Sequence, residues 1–209
     1  MKIPILALRD QAHVAKGTTR LIYEWPGDHS RLIKVHKRWQ PSENDGAWVR
    51  WFKAHEDWFL FRTGILRELN VYLRTRYDDW QSLNEHIAPI LGLVDTDLGL
   101  GFVITAVRDA QGGLAPTARQ LLRSEQMTAE RAVKLQALVS LIEDSPWVIG
   151  DLNLDNIVLS EAGLPHEKFM LIDGLGERTL LPVQHWLPWA RQRQKKRFAA
   201  KVRRRLAKL

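Results

Sequence analysis

Short alternations of apolar and polar residues mark the first third of the chain. Such alternation, in stretches rich in β-branched residues and bounded by turn residues, predicts strands with one buried face. Pro26, Gly27 and Asp28 separate two of these stretches and predict a hairpin turn. The stretches are LALRDQAHVAKG, TRLIYEW and RLIKVHK.

Helical periodicity follows. After the polar stretch 42–45, apolar residues recur every three or four positions, which predicts one face of a helix packed in the core. The alternative is an exposed surface for a partner or for lipid. The residues of this stripe are Trp48, Trp51, Phe52, His55, Trp58 and Phe59. A second helical stretch contains Glu68, and its apolar positions are Ile65, Leu66, Leu69, Tyr72 and Leu73.

The remaining stretches complete an α+β pattern. LGLVDT and GFVITAVRD predict two strands joined by a tight reversal, and NIVLS and KFMLID predict a later hairpin. Between them, Thr128 is suited to cap a helix. The apolar stripe of that helix is Leu135, Leu138, Val139 and Ile142. Because the composition changes near Gly112, we predict a strand-rich part over 1–112, a helical part over 113–189 and a tail over 190–209.

Composition excludes several classes of protein. The chain of 209 residues has no Cys, which excludes disulfide scaffolds, iron–sulfur clusters and thiolate zinc sites. It has no apolar run long enough to cross a bilayer as a helix, and its first ten residues lack the features of a signal peptide. These features predict a cytoplasmic protein.

The positive charge is confined to the tail. The formal net charge is +7, yet residues 190–209 hold ten Lys and Arg and no acidic residue, so the rest of the chain is slightly acidic. As a helix, the tail has an apolar seam at Phe198, Val202, Leu206 and Leu209. Two interpretations stay open. Either the seam packs on the acidic body, or the tail binds an anionic partner such as an acidic protein, a lipid surface or RNA.

Candidate chemistry is concentrated in the segment GDLNLDN at 150–156. A calcium-binding loop that starts at Asp151 needs Gly at its sixth position and Glu at its twelfth, and these positions hold Asn156 and Ala162. The spacing fits phosphotransferases better. In kinases an Asp orients the attacking hydroxyl, an Asn five residues later holds Mg²⁺, and a further Asp bridges the metal to the phosphates. Asp151, Asn156 and Asp173 fit these roles.

Phosphoryl transfer also needs a cation on the α- and β-phosphates of ATP. Lys34 lies in the strand-like LIKV, and Glu68 on the following helix is suited to hold it. Taken singly, each has a plainer interpretation, a surface lysine of an edge strand and a solvated helix residue. Ala106 and Val107, in the connector after the second strand pair, are candidates for backbone recognition of adenine.

With these residues assigned, the chain resembles the kinase-like PhoP regulatory network protein YrbL family. The resemblance implies a reduced protein-kinase-like fold in a bacterial, cytoplasmic protein, with a strand-rich N-lobe and a shortened helical C-lobe. Its most distinctive part is Asp173-Gly174 followed by Gly176-Glu177, which is not general kinase sequence. The blocks that carry it are GTTRLIYEWPGDHSRLIKV, RELNVYL, GLVDTDLGLGFV, GDLNLDNIVL and LIDGLGERTLLPVQHW.

Three departures from conventional kinases bear on activity. Gly17 stands almost alone where several glycines normally cradle phosphate, so either the phosphate is held more weakly or Arg20 substitutes for the missing glycines. Ile149 occupies the position of a His that usually precedes the catalytic Asp by two residues. The chain after Asp173 is too short for the helical platform that holds peptide substrates, which disfavours a peptide-directed kinase.

We therefore expect a phosphotransferase that uses ATP and Mg²⁺ and has an unidentified phosphate acceptor. In this hypothesis Lys34 holds the phosphates, Glu68 positions Lys34, Asp151 orients the acceptor hydroxyl, and Asn156 with Asp173 binds the metal. The alternative is a pseudokinase, a nucleotide-binding or protein-binding regulatory module without catalysis.

Overall fold

The structure is a computed structural model, and it describes residues 5–17, 20–37, 46–54, 65–176 and 186–209. The chain divides into two compact units. The first consists of Met1–Leu60 with Pro89–Ala106, and the second of Phe61–Ala88 with Val107–Leu209. Within the described ranges, no helix is long and apolar enough to cross a membrane.

The first unit contains a five-stranded antiparallel sheet with the strand order β1-β2-β3-β5-β4. Pro26 and Gly27 form the turn of the predicted hairpin, and Gly27 adopts a φ of +75° that favours glycine. The later strand pair is also confirmed. The strands are β1 Ala15–Lys16, β2 Arg20–Trp25, β3 Asp28–His36, β4 Ile90–Thr96 and β5 Gly99–Thr105.

The segment before β1 is mostly not a strand, contrary to its apolar alternation. Leu6 makes only an isolated bridge to Thr96. The backbone N–H groups of Leu8 and Arg9 instead donate to the Asp97 carboxylate, at 2.8 and 3.2 Å. These bonds hold the pKa of Asp97 below its ordinary value, and the bond from Leu8 makes the largest contribution. Burial opposes the shift. Leu8 then packs in the core of this unit.

Helix α1, Ala47–Ala54, confirms the predicted periodicity but not the predicted core. Trp48 is 81% exposed and Trp51 is 53% exposed, and their rings meet edge to face at 6.0 Å. The core interpretation is therefore wrong for these two residues, which contact each other instead of packing in the core. The side chains of the rest of the stripe lie outside what the structure describes; they are Phe52, His55, Trp58 and Phe59.

The second unit combines helices with a small antiparallel hairpin, so the chain has an α+β fold. Thr128 caps its longest internal helix by accepting from the Arg131 N–H at 3.3 Å, and the predicted apolar stripe of that helix is buried. Its elements are α2 Leu66–Tyr77, a 3₁₀ segment Trp80–His86, α3 Ala118–Arg123, α4 Ala129–Asp144, β6 Ile157–Ser160, β7 Lys168–Leu171 and α5 Pro188–Leu206.

The division into units differs from the ranges 1–112, 113–189 and 190–209 that the sequence predicted. Phe61–Ala88 belongs to the second unit, because the 3₁₀ segment packs on α4 and β7. Helix α5 also belongs there, since it packs along α4. A change in composition indicates a change in local structure, whereas the membership of a segment in one compact unit depends on its tertiary packing.

Helix α5 uses part of the predicted seam to pack on the second unit. Phe198 and Val202 are buried, whereas Leu206 is half-buried and Leu209 is exposed. Arg203 donates to the Glu143 carboxylate of α4 at 2.7 Å. The packed-helix interpretation of the tail is therefore present in the structure, and the cations of its outer face remain on the surface.

Lys195 of α5 is only 1% exposed, and its Nζ donates to the carbonyl and hydroxyl oxygens of Ser145, at 2.6 and 2.8 Å. Burial, together with the nearby Arg191, lowers the pKa of Lys195 to about 7, and Asp144 opposes part of this shift. The folded protein therefore releases this proton near neutral pH, and the unfolded chain keeps it up to about pH 10.

Replacing this lysine tests its energetic role. Unfolding takes up a proton between about pH 7 and pH 10, so Lys195 makes stability rise with pH in that window by at most about 1.4 kcal/mol per unit. We expect the free energy of unfolding of Lys195→Met, minus that of the native chain, to fall steadily from pH 7 to pH 9.5 in urea titrations. The exposed Lys196→Met is the control, and a difference independent of pH would contradict the assignment.

Candidate functional site

The loop 150–156, between α4 and β6, is fixed by backbone hydrogen bonds to the segment that follows β7. Gly150 N–H donates to Gly176 O at 2.9 Å, and Gly176 N–H donates to Val148 O at 2.9 Å. The Ile172 N–H donates to Asn156 O, also at 2.9 Å. Two segments that are distant in sequence are thereby held side by side, with the loop and the end of β7 in register.

Asp151 is oriented by two amide side chains. Asn153 Nδ2 donates to Asp151 Oδ1 at 3.0 Å, and Asn156 Nδ2 donates to Asp151 Oδ2 at 3.1 Å. The Asn156 Nδ2 also donates to the Asp151 main-chain oxygen at 2.8 Å. Each carboxylate oxygen accepts one amide N–H, which fixes the plane of the carboxylate. Since Nδ2 of Asn156 is committed to Asp151, its Oδ1 is the atom suited to a cation.

Asp173 joins this arrangement through Gly174. The Gly174 N–H donates to Asp173 Oδ1 at 2.6 Å. Gly174 has a φ of +96°, and a Cβ atom there would lie 2.7 Å from Asp151 O and 3.3 Å from Asn156 Nδ2. Only a glycine permits so close an approach of the two segments. The structure thus brings together the three residues that the spacing predicted.

The donor set suits Mg²⁺ rather than a metal held by protein ligands alone. Within the described ranges, no group of three or more His, Cys, Asp or Glu side chains is placed to hold a metal ion. Asn156 Oδ1 and the Asp173 carboxylate offer hard oxygen ligands from only two side chains. Mg²⁺ is commonly bound by one or two carboxylates, with water and substrate phosphates completing its shell.

Lys34 lies on β3, the central strand of the five-stranded sheet, opposite Ile22 of β2 and Phe102 of β5. It is 3% exposed. The interpretation as a surface lysine of an edge strand is therefore wrong, because β3 has a paired strand on each side and the Lys34 side chain is buried. A fully buried lysine is rare in proteins unless it is paired.

Glu68 lies in the first turn of α2 and is 4% exposed, so the interpretation as a solvated residue is also wrong. A Cβ atom at Gly176 would lie 2.9 Å from Arg67 O and 3.1 Å from Glu68 N, which places the start of α2 against the segment after β7. The pairing of Lys34 with Glu68 stays a prediction.

Gly17 directly follows β1, and Arg20 is the first residue of β2. The Gly17 N–H donates to Arg20 O at 2.9 Å, and the Lys37 ammonium group donates to Gly17 O. A phosphate-binding glycine needs an N–H group directed at the anion, whereas this N–H is directed at Arg20. The role of Arg20 as the substitute stays a prediction.

Ala106 and Val107 use part of their backbone in the protein itself. The Ala106 N–H donates to Ser30 O at 2.8 Å, and Val107 O accepts from the Ala115 N–H at 3.0 Å. Any recognition of adenine by these two residues would therefore fall to the Ala106 carbonyl and the Val107 N–H, and this role stays a prediction.

Known proteins are similar to this chain over nearly its whole length. A family model described as PhoP regulatory network protein YrbL matches residues 6–207. The chain belongs to the YrbL family. It is 26% identical over 200 residues to YrbL of Escherichia coli (strain K12) and to YrbL of Shigella flexneri, which covers 93% of this chain and 84% of each relative. The resemblance noted from the sequence blocks is confirmed.

Sequence reasoning missed two residues of this YrbL-family site. Asn153 donates to Asp151, and its Oδ1 accepts from the N–H groups of Asp155 and Asn156. Gln194 of α5 donates from Nε2 to Gly150 O at 2.9 Å. The alternation of polar residues with leucine over 151–155 was a signal for Asn153, whereas Gln194 depends on how α5 packs.

Proposed function

We propose that this YrbL-family protein is a cytoplasmic phosphotransferase of kinase-like, two-lobed architecture that transfers the γ-phosphoryl group of Mg·ATP to an acceptor hydroxyl. The observation that carries the proposal is the arrangement of Asp151, Asn156 and Asp173 in the second unit. Its hydrogen bonds fix the Asp151 carboxylate by two amides and place the oxygen-bearing side chains of Asn156 and Asp173 on adjacent segments. Phosphoryl transfer needs mainly positioning and charge stabilisation, and this arrangement is suited to both.

Asp151 is proposed to orient the acceptor hydroxyl and take its proton. Its carboxylate accepts from Asn153 and Asn156, so it is held in one orientation, as a general base must be. Asn156 and Asp173 would hold Mg²⁺, which supplies neutralisation of the phosphate charge. Asp173 is in turn oriented by the Gly174 N–H.

A second group of residues is proposed to serve the nucleotide. Lys34 would neutralise the α- and β-phosphates and Glu68 would position Lys34, which is the pairing typical of kinases. The burial of both residues supports this role more than a surface role does. Arg20 would contact phosphate, and Ala106 and Val107 would bind adenine through the backbone groups named above.

Nucleotide binding tests the metal ligands. A ligand that binds only the folded state raises its stability, by about 2.7 kcal/mol at one hundred times the dissociation constant. We expect Mg·ATP to raise the melting temperature of the native chain more than ATP with EDTA does. In Asp173→Asn this difference should disappear, because one metal ligand loses its charge.

The control is Asp78→Asn, which removes the same charge from an exposed position of the second unit and should keep the difference. The proposal fails if Mg·ATP leaves the melting temperature of the native chain unchanged. An undiminished Mg²⁺-dependent shift in Asp173→Asn would remove Asp173 from the metal site.

A pseudokinase is the second candidate, and two observations favour it. The Gly17 N–H donates to Arg20 O, which weakens a phosphate cradle. Ile149 is buried and apolar, and its backbone bridges to Leu175 and Gly176, so no polar side chain at that position braces the site. Binding of Mg·ATP without transfer to any acceptor would favour this candidate.

A further inference from the structure

A pocket of about 210 Å³ opens between α5, α3 and the loop that follows Asp151. Its floor is apolar and includes Phe198 and Val202, while its polar lining consists of cations and amides. Because the volume lies below the range of about 300–1,000 Å³ that is typical of drug-sized ligands, the pocket suits one small group. The polar lining is Arg119, Asn153, Gln194, Arg197, Lys201 and Arg205.

The sequence period of α5 produces the charged wall. Arg197, Lys201 and Arg205 are four residues apart and therefore lie on one face of the helix, directly beside the buried seam of Phe198 and Val202. Packing of the seam on the second unit places these cations at the mouth of the pocket. The apolar positions thus decide where the charges lie.

The pocket carries an excess of positive charge. Arg119 is neutralised, since its Nε lies 2.7 Å from both oxygens of Asp155. Across the residues that the structure describes, no carboxylate lies within ion-pairing distance of Arg197, Lys201 or Arg205. Like charges four residues apart on a helix repel each other, and an anion between them would relieve the repulsion.

The pocket is continuous with the loop of the proposed catalytic residue. Asn153 lines the pocket, and the same side chain donates to Asp151 Oδ1 at 3.0 Å. Leu152 and Leu154, which also line it, lie one and three residues after Asp151, so the chain spans at most about 10 Å between them. The Asp151 carboxylate therefore lies beside a residue that lines the pocket.

We propose that this pocket binds the phosphate group of a small phosphorylated acceptor, a phosphomonoester that presents a free hydroxyl to Asp151. The role of this ligand as an acceptor rests on the proposed phosphotransferase function, whereas the binding of an anion in the pocket does not. In the transfer, the hydroxyl oxygen forms a bond to the γ-phosphorus of ATP and the bond to the bridging oxygen of ADP breaks. The hydroxyl proton goes to Asp151 and ADP leaves.

Guanidinium and ammonium groups make strong charge-assisted hydrogen bonds to phosphate. We therefore expect inorganic phosphate and glycerol 3-phosphate to bind the native chain in calorimetric titrations at constant ionic strength, and glycerol not to bind. The double variant Arg197→Gln/Lys201→Gln should weaken both by about tenfold or more. The anion probes need no ATP, so the result is separate from any test of catalysis.

The matched control is Lys196→Gln/Arg204→Gln, which removes the same two charges from exposed positions of α5 outside the pocket. It should change the affinity by less than about twofold, because these two charges do not line the pocket and act on a bound anion only through salt-screened solvent. Asp151→Asn should also keep phosphate binding. If Asp151→Asn keeps it and no transfer is found in the native chain, the pocket stands and the phosphotransferase proposal fails.

Three outcomes would overturn the inference. The first is no binding of either phosphate probe at millimolar concentration. The second is an equal loss in both double variants, which would mean a general charge effect of the kind that binds RNA or anionic lipid surfaces. The third is competition between saturating Mg·ATP and glycerol 3-phosphate, which would assign the pocket to phosphates of the nucleotide instead of the acceptor.

Discussion

Asp151→Asn is expected to lower the rate of ADP formation from Mg·ATP by about 10²- to 10⁴-fold, the usual contribution of a general base. The substitution keeps the size of the side chain, and the main-chain oxygen of residue 151 still accepts from Asn156. The loop should therefore keep its conformation while losing the group that takes the proton. We expect the affinity for Mg·ATP, measured by calorimetry, to change by less than about threefold, since Asp151 is not a proposed metal ligand.

Asp78→Asn controls for the lost charge, because Asp78 is an exposed residue of the same unit at the end of α2. Its rate should equal that of the native chain. Equal rates of the native chain and Asp151→Asn would remove Asp151 from the chemistry. A parallel loss of rate and nucleotide affinity would instead indicate that the loop itself is disrupted.

Gly174→Ala is expected to lower the free energy of unfolding by at least about 2 kcal/mol, because the new Cβ combines backbone strain with a steric clash. The φ of Gly174 is +96°, and the Cβ would lie 2.7 Å from the main-chain oxygen of Asp151. That neighbour is backbone and has little room to move. Relief of the clash must separate Asp173 from the loop, so the Mg²⁺-dependent response to ATP should also weaken.

Gly163→Ala is a closely matched control. Gly163 has nearly the same φ, +95°, but a Cβ atom there would lie 3.9 Å from the Ala110 Cβ, an ordinary van der Waals contact. Gly163→Ala should therefore lower the free energy of unfolding through backbone strain alone, by about 1 kcal/mol. Urea titrations of both variants measure the difference, and equal costs would mean that the close approach at Gly174 is not a constraint.

Local pattern predicted much of the fold. The hairpin at Pro26 and Gly27, the strand pair β4–β5 and the cap at Thr128 each depend on neighbouring residues, and all are present in the structure. Such features are decided by turn geometry, alternation and capping, which a few consecutive residues determine.

The errors concern which side of an element is buried. Helix α2 buries Tyr72 and Thr75 and leaves Leu66 and Leu73 exposed, so its inner face is rotated from the apolar stripe. Buried Glu68 lies on this face and lowers its apparent hydrophobicity. A polar residue inside a helix stripe conceals the orientation of the helix, because periodicity alone assigns polar residues to solvent.

The sequence predicted the loop residues of the candidate site but not the basic pocket beside them. Asp151, Asn156 and Asp173 follow from spacing within one short loop and one hairpin, so the hairpin itself brings them together. The basic pocket could not be predicted, because it requires α5 to pack beside the loop, and the sequence does not show which tertiary contacts α5 makes. The tail that looked like a separate cationic segment is part of the second unit.

The most direct test of the account is mass spectrometry of small molecules and proteins after a cell extract is incubated with Mg·ATP and the native chain or Asp151→Asn. The account predicts a new species, heavier by one phosphoryl group, that forms with the native chain and is absent with the variant. Formation of the same species with both proteins, or of none with a native chain that binds Mg·ATP, would contradict it.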